Sequence, residues 1–356
     1  MNLDQPEIYP QIDPQNMLAE INGLPDQLLA AWQQGLAESA FFSTAESAAF
    51  RRILISGMGG SAIGADLLAA YVAPLCRLPI FVSRDYDLPA WASGAETLVI
   101  ASSHSGNTEE TLSAAHQALE RGCRLMAICT GGKLAALAAE NRAPLWKFTH
   151  AGQPRAAVGF SFGLLLAAMQ RLGLIPDQDA DLRAAVAAMQ AQKTSLTSEI
   201  PVSQNPAKRM AGQLVGRHVT IFGAGLHAPI ARRWKGQINE IANSLAQFEI
   251  LPEANHNTLQ GLEAPQEILT RGMALFLRAP SDHPRNRLRI ELTRQAFMLE
   301  GLNTDFLDAR GATRLEQLWT LLHFGDYLAY YLAIAYGIDP TPIAALVNFK
   351  AAMSRE

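Results

Sequence analysis

Cysteine is scarce. Only Cys76, Cys123 and Cys129 occur in 356 residues, with no CxxC pair and no metal-ligand spacing. A disulfide framework and a cysteine-bound metal are therefore not expected. Two of the three stand beside or inside apolar strand-like runs, the setting of buried free thiols in a reducing compartment. No apolar run is long enough to cross a bilayer. No basic amino-terminal segment precedes a hydrophobic stretch, so secretion is not expected and a cytoplasmic location is. An excess of one charge is lacking too: 29 Lys and Arg face 33 Asp and Glu, for a net charge of −4. That balance argues against nucleic acid as a bulk partner. What is plentiful is apolar material, 49% against 17% charged residues, enough for two domains of ordinary size around a large core.

The rest of the chain is organised around Leu98 to Gly122, LVIASSHSGNTEETLSAAHQALERG. Leu98-Val99-Ile100-Ala101 is short and apolar enough to be a buried parallel strand. The run then breaks at Ser102-Ser103-His104-Ser105-Gly106-Asn107-Thr108. A helical pattern follows, with Leu112, Ala115 and Leu119 on one face and Gly122 placed to stop it. Asn107 and Glu110 are spaced as a capping pair at the helix start. The result is a hydroxyl-dense turn at the open amino end of a helix, where unpaired N–H groups and the dipole favour an anion. Ser103, Ser105 and Thr108 can bond phosphoryl oxygens, and Gly106 lets the backbone come close. No Lys or Arg lies in the loop, which suits a phosphate monoester better than a triphosphate with its metal. The bland alternative is a helix cap rich in Ser and Thr.

Taken in order, the chain opens with a polar lead and amphipathic helix through Leu36, then the strand Ile53-Leu54-Ile55. The turn Gly57-Met58-Gly59-Gly60-Ser61 leads into a helix through Tyr71. Further strands are expected at Ile80–Val82, Leu98–Ala101, Leu125–Cys129 and Leu145–Phe148. Strands alternating with helices at this spacing mean a parallel sheet with helices on both faces. The helices from Phe160 to about Ser198 read as a bridge. The pattern then restarts with His218–Phe222, the turn Gly223-Ala224-Gly225, a helix from Ala228 to Leu245, and strands at Phe248–Leu251, Met273–Leu277 and Asn303–Leu307. The expected domains are 1–160, a helical bridge 161–200, and 201–356. Together they make a duplicated α/β unit with a cleft between the copies and a carboxy-terminal helix closing it.

Gly57-Met58-Gly59-Gly60-Ser61-Ala62 fits the loose dinucleotide fingerprint, with Asp85 near the end of the next strand, and Gly223 to Ala228 fits it too. Each alone is a weak signal, because many α/β domains use glycines there only to turn tightly from strand to helix. The serine loop two strands later distinguishes the first of them, because a sugar phosphate needs both loops at one end of the sheet and a nicotinamide does not.

At this point the chain resembles a known family. GMGGSAIG (Gly57 to Gly64) with SHSGNTEET (Ser103 to Thr111) is similar to the sugar isomerase, or SIS, domain. The whole chain resembles the bifunctional phosphoglucose/phosphomannose isomerases, which carry two such doubly wound domains. Four further segments carry the likeness: Pro154-Arg155 before Gly159; Gln237-Ile238-Asn239-Glu240; Leu251-Pro252-Glu253-Ala254-Asn255-His256-Asn257; and Tyr336-Gly337-Ile338-Asp339-Pro340-Thr341-Pro342 before Lys350. One departure is His104, where the family usually has Tyr.

The resemblance implies reversible isomerisation of glucose 6-phosphate and mannose 6-phosphate to fructose 6-phosphate through a cis-enediol. Glu240 matches the family's base, which must reach both C1 and C2; otherwise it is a solvated helix-face Glu. His256 matches the ring-opening residue, which in relatives reaches the adjacent subunit's site, so a homodimer is expected; otherwise it is a loop His between two Asn. Lys350 matches the lysine at the ring oxygen, and Arg155 the arginine beside the developing enediolate. Ser61, Ser103, Ser105 and Thr108, with the backbone of Gly59, Gly60 and Gly106, would hold the 6-phosphate. No step needs a metal, and no cofactor is expected. His116, His150, His218 and His323 are read as structural, and the aromatic helix around Trp319 to Tyr331 as core or dimer packing. Two other classes stay open: a non-catalytic sugar-phosphate sensor, and a dehydrogenase using the Gly57 turn.

Overall fold

A computed structural model describes residues 2–353. The leading helices are α1 (Tyr9–Ile12), α2 (Met17–Ala37) and α3 (Thr44–Ala49). A βα succession follows: β1 (Arg52–Ser56), α4 (Gly59–Val72), β2 (Ile80–Ser83), β3 (Thr97–Ser103), α5 (Glu109–Glu120), β4 (Arg124–Cys129), α6 (Gly132–Glu140) and β5 (Leu145–Lys147). Then come α7 (Val158–Arg171), α8 (Asp179–Lys193) and α9 (Pro206–Leu214). The succession resumes with β6 (His218–Ala224), α10 (Ala228–Ile241), β7 (Ala246–Leu251), α11 (Gln266–Leu269), β8 (Gly272–Arg278), α12 (Pro284–Leu299) and β9 (Asn303–Asp308). Two helices close the chain, α13 (Arg314–Tyr336) and α14 (Ala344–Met353).

Among the described residues the strands form two parallel sheets, ordered β2-β1-β3-β4-β5 and β7-β6-β8-β9. In each the chain leaves the central strand for one edge and returns on its other side. A switch point therefore falls between β1 and β3, and again between β6 and β8, the position where open α/β sheets bind ligands. β3 is buried along its whole length, as an apolar strand covered on both faces should be.

The chain divides into two compact units. The first holds Gly23–Ala187 with Ala312–Glu316; the second holds residues 2–22, Ala188–Gly311 and 317–353, so the division falls inside α2, α8 and α13. The core of the first unit gathers Leu54, Val99, Leu125, Ala127 and Leu134. That of the second gathers Phe222, Phe276, Ile290 and Phe297, with Phe222 and Phe276 stacked at 4.7 Å. The expected aromatic helix is α13, with Trp319, Tyr327, Tyr330 and Tyr331 at 1% exposure or less. The segment before α2 belongs to the second unit because Lys208 holds it. Its Nζ donates to Leu3 O at 2.8 Å and Ser198 O at 2.7 Å, beside the Tyr9 and Tyr331 rings. Cys123 and Cys129 are buried free thiols and Cys76 is half-buried.

Candidate active site

In the first unit, the serine turn folds on its own hydroxyls. Ser103 Oγ lies 2.9 Å from Thr108 Oγ1 and accepts from the Gly106 amide at 3.1 Å, and Ser105 Oγ accepts from the Asn107 amide at 3.2 Å. A second turn braces it from behind. Leu134 N donates to Gly106 O, Thr130 Oγ1 donates to His104 O, and Lys133 N donates to the Asn107 side chain. Gly106 has φ +68°, and any Cβ there would collide with the Gly131 carbonyl oxygen, so the position admits only glycine.

The expected Asn107–Glu110 capping pair is not formed. The N-cap is Thr108, with no side-chain capping bond, while Asn107 Oδ1 is spent on Lys133. α4 likewise starts from Met58 with no capping side chain. Two helix amino ends at the switch between β1 and β3 are thus left uncapped by side chains, the arrangement that suits an anion. Ser61 lies buried in the first turn of α4, following Gly59 (φ +50°) and Gly60. Gly60 is needed because its Cβ would strike the Pro154 carbonyl oxygen. That close approach sets the buried Arg155, in the turn Pro154–Ala156, directly beside the Gly-rich turn.

His104 packs edge-on against Phe148 and His150, its Nε2 3.0 Å from His150 Nδ1. Burial, helped by the charge of His150, brings its pKa down to about 4, so it is neutral at pH 7.

In the second unit, α10 is fixed to α13 by buried polar contacts. Arg233 donates to Asp326 Oδ2 at 2.7 Å and Gln237 to Asp326 Oδ1 at 2.9 Å; Trp234 Nε1 donates to Leu321 O at 3.0 Å over the bare backbone of Gly325. Burial raises the Asp326 carboxyl against the pull of Arg233. Arg233, Gln237 and Glu240 recur at helical spacing on one face. Glu240 lies half-buried near the end of α10 and lines a cavity of about 530 Å³ with Asn239, Asp339, Pro342 and Leu346. Lys350, exposed on α14, stands one turn beyond Leu346 on the same helix face.

His256 ends the turn Glu253–His256 and is exposed. Its flanking Asn residues hold the turn: Asn255 bonds Thr293 Oγ1 at 2.7 Å and Arg289 Nη1 at 3.1 Å, and Asn257 accepts from Thr258 N at 2.6 Å. The serines, the Gly turn and Arg155 are thus brought together in one unit, and Glu240 with α14 in the other, while His256 stands on a turn of its own. Reading the sequence missed Asp326 and Arg233, although an Asp inside the apolar run Phe324 to Leu328 was a usable signal.

Residues 48–145 match the family model of the SIS domain, and residues 203–353 that of the bacterial phospho-glucose isomerase C-terminal SIS domain. The chain is 38% identical over 94% of its length, and 98% of the relative's, to a bifunctional phosphoglucose/phosphomannose isomerase of Caldicellulosiruptor bescii. The chain belongs to the bifunctional phosphoglucose/phosphomannose isomerase family. A second relative of that name, from Aquifex aeolicus, is 32% identical over 85% of this chain and 90% of its own. In fold, the chain is similar to a glucose-6-phosphate isomerase like protein from Thermus thermophilus, with TM-score 0.64 and 23% identity over 97% and 99% of the two chains. In this member of the bifunctional phosphoglucose/phosphomannose isomerase family, the serine turn falls within the SIS match and Glu240, His256 and Lys350 within the C-terminal match, with Arg155 between them.

Proposed function

We propose that this protein interconverts glucose 6-phosphate and mannose 6-phosphate with fructose 6-phosphate by proton transfer through a cis-enediol. The observation that carries the reading is the hydroxyl-rich double turn, with its uncapped helix ends, inside a chain-long likeness to enzymes of that name. In this reading the 6-phosphate docks on Ser61, Ser103, Ser105 and Thr108 and the amides of Gly59, Gly60 and Gly106. Glu240 carries the proton between C1 and C2, a task for a carboxylate half-withdrawn from water beside a sugar-sized cavity. Arg155 offers a fixed cation to the enediolate oxygen as charge develops. Lys350 meets the ring oxygen, and His256 opens the ring in the site of an adjacent copy, which makes the working form a homodimer. The location that goes with this reading is the cytoplasm; no helix among the described residues is long and apolar enough to span a membrane.

A coupled assay with both aldose phosphates tests the proposal. Wild type is expected to convert each, and Glu240→Gln to lose at least ~100-fold in kcat, the low end for a general base. An unimpaired Glu240→Gln enzyme would remove the carboxylate from the mechanism.

A further inference from the structure

The two units repeat the same pair of turns. Met58 (φ −125°, ψ 160°) and Gly59 (φ +50°) lead from β1 into α4; Ala224 (φ −135°, ψ 148°) and Gly225 (φ +51°) lead from β6 toward α10. The neighbouring turns agree as well. Residues 104–108 join β3 to α5 and residues 279–283 join β8 to α12, with Thr108 and His283 as the N-caps. Position for position, Ser61 corresponds to His227, Ser103 to Arg278, Ser105 to Pro280, Asn107 to Asp282 and Thr108 to His283. All four hydroxyls of the first unit are replaced.

A carboxylate stands there instead. Asp282 Oδ1 accepts from His227 Nδ1 at 3.0 Å and Oδ2 accepts from the Ala279 amide at 2.7 Å, with the His227 side chain 0% and the Asp282 side chain 2% exposed. It bridges the two turns that flank the switch between β6 and β8. Arg278, the counterpart of Ser103, is engaged by Asp308 and Glu291. Two more polar atoms of these turns, His227 Nε2 and Ser281 Oγ, are buried without a hydrogen-bond partner. Buried polar atoms left so are rare; Ser281 Oγ is a free donor to an oxyanion, whereas the ring's Nε2 lies opposite the Nδ1 that Asp282 takes.

We infer that the second unit carries a duplicate oxyanion site which Asp282 fills as an internal carboxylate. A carboxylate matches a phosphate in charge sign and acceptor oxygens, and once seated it repels a second anion at the amino end of α10. The chain therefore takes one phosphate monoester, at the serine turn, and the second site accepts a small oxyanion only when Asp282 is removed. The count of one rests on the proposed function; the occupancy by Asp282 does not.

Titration calorimetry of inorganic phosphate into wild type, Asp282→Gly and Asp282→Asn separates the two. Asp282→Gly is expected to bind one phosphate per chain more than wild type, with formate competing at matched ionic strength. Asp282→Asn, which keeps the side chain's bulk, gains none. A serine turn that is no phosphate site would lower both counts by one and leave the difference intact. No gain in Asp282→Gly, or an equal gain in Asp282→Asn, overturns the inference. Should Asp282→Gly not fold unaided, refolding in formate or phosphate but not in chloride supports it, and failure in all three overturns it.

Discussion

His104 shows how a single ring beside the serine turn is tuned by its surroundings. Its pKa falls from 6.5 to about 4, chiefly through burial and then through His150. In the window between those values the unfolded chain binds the additional proton and the folded one does not. The stabilising contribution is fully present above 6.5 and is lost as pH falls toward 4. His323, buried with Nε2 2.8 Å from Ile21 O, is brought down to about 4 and acts in the same window with the same sign. Urea midpoints should therefore fall between pH 7 and pH 5, and His104→Gln should remove part of that fall. A fall of undiminished size in His104→Gln would sink the assignment. The sequence alone placed the hydroxyls of this turn, since their density next to a buried strand is a local signal. It misassigned Asn107, whose partner Lys133 is 26 residues away and belongs to a different turn.

The element that positions the expected base is α10, and its anchor is Asp326 on α13. Replacing Asp326 by Ala would take the carboxylate away from a guanidinium that is 3% exposed, at a cost of about 3–5 kcal/mol. Denaturant unfolding should register that loss. kcat should fall with it even where the protein is fully folded, because Glu240 lies two turns along the same face; unchanged kcat would mean that α10 is held by its apolar contacts alone. Elements of this kind are legible where the pattern is strong. The buried strands show as apolar runs, and the two sheets follow from their alternation with helices. The short α3, capped by Ser43 and Glu46, escaped because six residues give no periodicity. α10 ends at Ile241 rather than Leu245 because Asn243 takes φ +47°, the left-handed stop that Asn, second only to Gly, favours. The His227–Asp282 pair joins residues 55 apart across two strands, beyond the reach of any local reading.

For the molecule as a whole, the exposed His256 raises the question of which copy it serves. Mixing Glu240→Gln with His256→Gln chains answers it. If the histidine acts in the neighbouring site, each mixed dimer has one site with both groups intact, and random reassortment returns roughly a quarter of wild-type activity. If it acts within its own chain, every site carries one defect and mixing restores nothing. Such complementation is measured in the same coupled assay after joint refolding.

The tether from Lys208 to Leu3 has a consequence for how this chain is made. Synthesis proceeds from the amino end, so Leu3 emerges 205 positions before the ammonium that receives it, and well before the Tyr331 ring. The segment that carries Leu3 must wait, unseated, while the first sheet is completed, and the later-made residues of α13 finish the place where it comes to rest.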